Sequence, residues 1–189
     1  MDVRLKPAVI CFSSRIGAGK STLATSLATS LGWPHTSFGD YVRGVADQRG
    51  TGQSREVLQQ IGEELVSTNL EPFTRAVISR VAWQQGCVVD GIRHMQVLRT
   101  LKKIVSPLLT FLVFIDIDES VRRQRLRQRG MTEDEIDAAD RHETEAQVRD
   151  LLKQQADIRL DGIRDVPELV HEIRSFMEGK QQQCNNEKP

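Results

Sequence analysis

A three-layer α/β fold around a five-stranded parallel sheet is what this sequence predicts, and three observations predict it. Short apolar runs alternate with longer amphipathic stretches, the pattern of strands followed by covering helices. The first apolar run, Ala8 to Ser13, opens at once into a glycine-containing turn and a helix with apolar residues at Leu23, Leu27 and Leu31. With 39% apolar and 28% charged residues in 189, the chain has the size and composition of one domain with one core.

The strands follow in order. Ala8 to Ser13 (AVICFS) reads as a strand buried on both faces, and Cys87 to Asp90 (CVVD) as a second of that kind. Leu109 to Asp116 (LTFLVFID) is the strongest strand by length and by its β-branched and aromatic content. Ala156 to Leu160 gives a fourth, and a short run from His35 to Phe38, punctuated by Pro34, completes five. Helices are expected over Lys20 to Leu31, Tyr41 to Gln48, Arg55 to Thr68, Phe73 to Gln85, Gln96 to Ile104, Glu119 to Arg129, Glu133 to Gln155 and Val166 to Met177. Ser54, Asp118 and Thr132 stand where side-chain oxygens cap first-turn amides. Residues 1–178 form a single domain by this reading, with no internal repeat and no Pro/Gly-rich linker. The segment Gly179 to Pro189 (GKQQQCNNEKP) has no apolar face and is expected to be a disordered tail.

Composition removes several function classes. Twenty-six basic residues balance 26 acidic ones, so no global positive field draws the chain to a nucleic acid polymer or a membrane surface. The longest strongly apolar stretch, Leu108 to Ile115, is far short of the ~20 residues that span a bilayer. The opening Met1-Asp2-Val3-Arg4-Leu5-Lys6 lacks the long apolar region of a secretory signal, which points to the cytoplasm. Cys11, Cys87 and Cys184 show no CxxC spacing, and His35, His94, His142 and His171 show no metal-ligand spacing. Nineteen of the 26 basic residues are Arg, whose planar fork matches phosphate oxygens two at a time.

The chemistry is carried by the turn after the first strand, Ser14-Arg15-Ile16-Gly17-Ala18-Gly19-Lys20-Ser21-Thr22. Gly17 and Gly19 let consecutive backbone N–H groups converge on a β-phosphate at the positive end of the following helix. Residues Arg15 to Thr22 thus form an ATP-binding cradle, with Lys20 reaching the β and γ oxygens and the Ser21 hydroxyl available to Mg²⁺. The full pattern GxxxxGK[ST] is breached at its first position, where Ser14 replaces Gly. A GTP-specific switch protein would carry an Asn-Lys-x-Asp element, and the chain has no Asn-Lys pair. Ring-forming ATPases commonly end a strand in two adjacent acids, whereas the runs here end as Asp90-Gly91 and Asp116-Ile117-Asp118.

Downstream, Phe38-Gly39-Asp40-Tyr41-Val42-Arg43 and Val89-Asp90-Gly91-Ile92-Arg93 resemble the nucleoside-monophosphate kinase family, with its Gly-Asp-x-x-Arg and Asp-Gly elements. The Asp-Gly-Ile-Arg form lacks the family's common Pro and is similar to dephospho-coenzyme A kinase-like and deoxynucleoside-monophosphate kinase-like relatives. Arg125-Leu126-Arg127-Gln128-Arg129-Gly130, the acidic Glu133-Asp134-Glu135 and then Arg141 look like that family's mobile lid. Gln155-Ala156-Asp157, leading to a short strand and Asp161-Gly162, is similar to the closing strand of dephospho-coenzyme A kinases. The resemblance spans about Ala8 to Gly162 and implies a P-loop NTPase fold of three αβα layers. It implies a helical acceptor-binding flap over about residues 38–86 and a short helical lid over about 122–145.

It further implies Mg²⁺- and ATP-dependent phosphoryl transfer to a nucleoside or deoxynucleoside monophosphate, giving the diphosphate and ADP. Lys20, Arg125, Arg129 and Arg141 would neutralise the transferring phosphate, Asp40, Arg43 and Arg93 would hold the acceptor, and Ser21 with Asp90 would serve the metal. The implied partners are nucleotides, with the protein a monomer or homodimer. For single residues two readings stand open. Asp90 either orders a Mg²⁺-bound water or caps its turn. Arg43 and Arg93 either bind an acceptor phosphate or lie solvated. Arg122, Arg125 and Arg129, three and four apart, either gather round an anion or pair with Glu133, Asp134, Glu135 and Asp137. Dephospho-coenzyme A kinase and other small-metabolite kinases are the enzymatic alternatives. A regulatory module that binds ATP without transferring it is the alternative of another class.

Overall fold

The structure, a computed structural model, describes residues 5–141 and 148–186. Its five strands are β1 (Ala8–Ser14), β2 (His35–Ser37), β3 (Cys87–Asp90), β4 (Leu109–Asp116) and β5 (Ile158–Asp161). All pair in parallel, in the order β2-β3-β1-β4-β5. The helices are α1 (Lys20–Leu31), α2 (Phe38–Gln48), α3 (Arg55–Thr68), α4 (Leu70–Ile78), α5 (Met95–Ile104), α6 (Glu119–Gln128), α7 (Glu133–Arg141) and α8 (Val166–Asn186). A 3-10 turn at Trp83–Gln85 and a π turn at Val148–Leu152 complete the described elements.

Alternation along β1 builds both layers. Val9 and Cys11 join an apolar cluster with α2 to α5 and the π turn, whereas Ala8, Ile10 and Phe12 join a second with α1 and α8. β1 is buried along its whole length, between β3 and β4, so its carboxyl end opens at the centre of the sheet. That is where an open α/β sheet gathers a ligand.

The fold class and all five strands agree with the sequence reading, and the boundaries moved for local reasons. Ser37 ends β2 one residue early because its hydroxyl accepts the amide of Asp40, starting α2 at Phe38. α4 starts at Leu70, three residues before the expected Phe73, because Pro72 falls in the first turn, where its missing N–H costs nothing. It stops at Ile78 rather than Gln85, where the amides of Arg80 and Val81 tighten to carbonyls three residues back. Of the single helix expected over Glu133 to Gln155, α7 covers Glu133–Arg141 and a π turn covers Val148–Leu152, and residues 142–147 lie outside the described residues.

The tail is a correction. α8 continues through Gly179 to Asn186, eight residues into the segment expected to be disordered. Its Gln181 is buried, accepting the amide of Lys6 and donating to the carbonyl of Lys6, both at 2.9 Å. A paired polar side chain fixes this turn where no apolar face was available. Residues 142–145 of the expected lid, His142, the N-terminal Met1 to Arg4 and the last three tail residues lie outside the described residues.

Candidate active site

The phosphate loop leaves β1 at Ser14 and enters α1 at Lys20. Gly17 and Gly19 both take φ +89°, a left-handed conformation that bends the loop and that other residues resist. Gly19 precedes α1 with no side chain capping it, and no acidic residue stands in the first turn. The first-turn amides and the positive helix end are therefore available to an anion.

Lys20 forms an ion pair with Asp90 at the end of β3, one strand away. The Asp90 side chain is 4% exposed and that of Lys20 13%. Burial draws the Lys20 ammonium below its ordinary pKa, Asp90 opposes that shift, and the charges of Arg93 and Arg43 reinforce it. The acceptor-side arginines expected from sequence therefore bear on the same lysine.

The two acceptor turns abut. Gly91 takes φ +88°, and a Cβ there would stand 3.4 Å from the amide nitrogen of Gly39. The amide of Ile92 donates to the carbonyl of Phe12 at 3.0 Å, fastening the Asp90-Gly91 turn to β1. On the neighbouring turn Asp40 pairs with Arg43, both about half exposed. Ser21 and Thr22 are exposed at the start of α1.

The loop after β5 closes the other side. Gly162 donates its amide to the carbonyl of Asp116 at 2.7 Å, and a Cβ at this position would lie 3.0 Å from the carbonyl oxygen of Ala18. Arg125 donates to the carbonyl of Gly162 at 3.1 Å, with its guanidinium 3.7 Å from where a Cβ on Gly19 would stand. Arg125 is thus beside the phosphate loop, as expected. Next to it lies a cleft of about 440 Å³ lined by Asp116, Ile117, Asp118, Arg159, Leu160, Asp161 and Ile163. Arg129 and Arg141 are exposed, and the described contacts of α6 and α7 do not carry either to Lys20.

Arg122 departs from the pairing read for it. Its side chain is 0% exposed, and its ion-pair partners are not Glu133, Asp134, Glu135 or Asp137. Glu119 and Asp140 hold it at 2.6 Å each, while Arg123 and Arg127 take Glu133. Arg15 was read for its backbone alone, yet its side chain bonds Glu119 at 2.6 Å and Asp140 at 2.8 Å. No local signal announces these pairs, because the partners lie more than 100 residues from Arg15.

Cys11 and Cys87 are buried. Burial pushes the Cys87 thiol up to about 12 and Cys11 further, so neither forms a thiolate near neutrality. Among the described residues no cluster of three His, Cys, Asp or Glu side chains could cage a metal. Nor is any described helix long and apolar enough to cross a membrane.

A family profile described as an AAA domain matches residues 16–163, from the phosphate loop to the Gly162 turn. The chain belongs to that family. This AAA domain is 28% identical over 174 residues to a UPF0200 protein of Pyrobaculum aerophilum, covering 87% of this chain and 94% of the relative. It is 30% identical over 142 residues to adenylate kinase isoenzyme 1 of Rattus norvegicus, covering 72% of each. In fold it is similar to a gluconokinase from Sinorhizobium meliloti 1021, with a TM-score of 0.66 at 18% identity over 98% of this chain and 100% of that one. A shikimate kinase from Aquifex aeolicus gives a TM-score of 0.63 at 21% identity over 92% and 98% of the two chains. The AAA domain described here is accordingly a P-loop kinase, with the parallel five-stranded sheet of that fold.

Proposed function

We propose that this kinase transfers the γ-phosphoryl group of ATP to a nucleoside or deoxynucleoside monophosphate, giving the diphosphate and ADP. The observation that supports this most is the meeting of two turns, Gly39-Asp40 and Asp90-Gly91, beside Lys20, with the charges of Arg43 and Arg93 bearing on it. Two arginines whose charges bear on the phosphate-loop lysine would suit a pair of anions, one supplied by each substrate. A monophosphate acceptor is already anionic, so no protein base is needed. Its phosphate would displace Asp40 from Arg43, and the donor would draw Lys20 from Asp90.

Mg²⁺ fits this donor set. The Ser21 hydroxyl and the Asp90 carboxylate are hard oxygen ligands, and magnesium is commonly held by one or two such groups together with substrate phosphates rather than by an all-protein cage. Ser21 and Asp90 would hold it, and when bound it neutralises charge on the phosphates. The chain's own work is then to orient. The loop amides grip the β-phosphate, Lys20 bridges toward the γ oxygens, and Arg125 lies beside Gly19 to meet charge in transit. The adenylate kinase relatives support this reading. A site of this kind belongs to a protein working in the cytoplasm, where ATP is abundant.

A second reading is a hydroxyl acceptor, as in dephospho-coenzyme A or another small metabolite. One observation favours it: the Asp40 carboxylate is exposed on the acceptor turn, where it could take a proton. The test is transfer from Mg·ATP across all ribo- and deoxyribonucleoside monophosphates and dephospho-coenzyme A, with products separated by chromatography. Diphosphate from one or a few monophosphates is expected. Coenzyme A as sole product would replace this reading with the second, and ATP binding with no product would make the protein a regulatory module.

A further inference from the structure

Among the described residues, Arg122 is the largest fully buried side chain. Burying a guanidinium is costly unless its charge and its donors are matched. Here they are matched by Glu119, which receives Nε at 3.0 Å and Nη2 at 2.6 Å, and by Asp140, which receives Nη2 at 2.6 Å. The remaining nitrogen, Nη1, donates to the carbonyl of Ile16 in the phosphate loop at 3.4 Å. The same two carboxylates also bind Arg15, the preceding loop residue. Two arginines and two acids from the loop, α6 and α7 thus form one cluster, whose acids also meet Arg123 of α6, at 3.1 Å from Glu119 and 3.7 Å from Asp140. Hydrogen bonding to Arg122 first, with Arg15 adding its charge, holds Glu119 at about 2, so this carboxylate stays ionised at neutrality.

The cluster shapes the loop at its crest. A trans peptide directs its C=O and N–H to opposite sides. Fixing the Ile16 carbonyl toward Arg122 therefore turns the Gly17 N–H away from α6. α6 is pressed against this peptide: a Cβ on Gly17 would stand 3.0 Å from Leu126 and 3.3 Å from Arg122. Arg15 is anchored at the same time through its side chain, and one of its two anchors, Asp140, lies on α7.

We propose that Arg122, with Glu119, Asp140 and Arg15, is a positioning device for the phosphate loop, holding residues 15–17 in the donor-binding shape only while α7 is docked. The inference rests on the reading of this loop as the ATP site. Arg122 touches no substrate in this scheme. It acts through the loop, so its loss weakens donor binding and leaves the acceptor site and the transfer step at saturation nearly intact.

The test is titration of Mg·ATP into the full chain by calorimetry, beside steady-state kinetics with each substrate varied. Arg122→Met keeps an unbranched buried chain without the donors, and Arg122→Lys keeps charge without the fork. Arg122→Met is expected to raise the Kd for Mg·ATP about 10- to 100-fold, with acceptor KM and kcat at saturating ATP changed less than about 3-fold. Arg122→Lys should restore only part of the affinity. Should Arg122→Met fold poorly, Asp140→Asn removes one anchor and leaves the Arg122–Glu119 pair, with an expected 3- to 10-fold loss of ATP affinity. Arg15→Gln combined with Asp140→Asn should cost less than the two singly summed, because both break one bond. A folded Arg122→Met or Asp140→Asn protein that binds Mg·ATP as the wild type does overturns the proposal, and so does an equal loss of donor and acceptor affinity. If the wild type binds ATP but phosphorylates no acceptor, the functional reading falls while this one stands or falls on the titration alone.

Discussion

The donor half of the site and the acceptor half are built to different standards. Around the phosphate loop every wall is bonded to another: Arg125 to Gly162, Gly162 to Asp116, Arg122 to Ile16, and Arg15 to both Glu119 and Asp140. On the acceptor side, among the described residues, Asp40 and Arg43 pair with each other, one helical turn apart and half in solvent. α2 and α3 are joined by Arg49 and Glu64 at 2.7 Å, with both side chains at least 40% exposed. Exposed pairs of this kind contribute about 0–1 kcal/mol. On the proposed function, the difference means that the donor cradle is formed before substrate arrives, whereas Arg43 on the acceptor side rests on a weak local partner that an acceptor phosphate would replace. Lys20 and Asp90 sit where the halves meet.

The comparison breaks most visibly at that junction. Lys20→Met should lower phosphoryl transfer by about 10³-fold or more, since charge neutralisation of the transferring group is its main task; turnover near wild type would remove Lys20 from the mechanism. Next in size, Arg43→Ala and Arg93→Ala should each raise acceptor KM about 10- to 100-fold with donor KM unmoved, and a matching rise in donor KM would erase the distinction between the halves. Gly162→Ala probes how tightly the donor side is packed. A Cβ there meets Ile115 at 2.8 Å and the carbonyls of Ala18 and Asp116 at 3.0 Å, so thermal unfolding should show a loss of about 1–3 kcal/mol.

The smallest effect is electrostatic. Glu119 is held at about 2 against an ordinary 4.5, so its carboxylate stabilises the fold fully above pH 4.5 and loses that contribution as pH falls through 4.5 toward 2. Glu119→Gln should therefore unfold at lower temperature than wild type at pH 7, by no more than about 1 kcal/mol given its exposure, and the gap should close below pH 4. A gap independent of pH would assign the loss to packing instead of charge.

What was legible in advance was what neighbouring residues decide. The phosphate loop, its two glycines, Lys20 and the following helix lie within a dozen positions, and one local geometry needs them all. The strands were readable because period-two alternation and apolar runs are local. The two acceptor turns were found through a family pattern, and only the fold shows Gly39 and Gly91 in near contact. Arg122 was misplaced for a physical reason: helical spacing put it on a face with Arg125 and Arg129, but not which carboxylates would meet that face. The C-terminal helix ran past its expected end because Gln181 is satisfied by Lys6, 175 residues away.

By itself, then, the sequence determined a parallel α/β sheet and a phosphate-gripping turn at its centre, both consequences of short-range periodicity and backbone sterics. Tertiary structure alone decided that Arg15 is held by the side chains of Glu119 and Asp140, that Arg122 is buried, and that Gly162 closes on the loop. The first of those outcomes depends on charges 104 and 125 residues apart being brought within hydrogen-bonding distance. The packing of α6 and α7 against the loop sets that distance, and it is the burial this packing imposes that makes each charge require its partner.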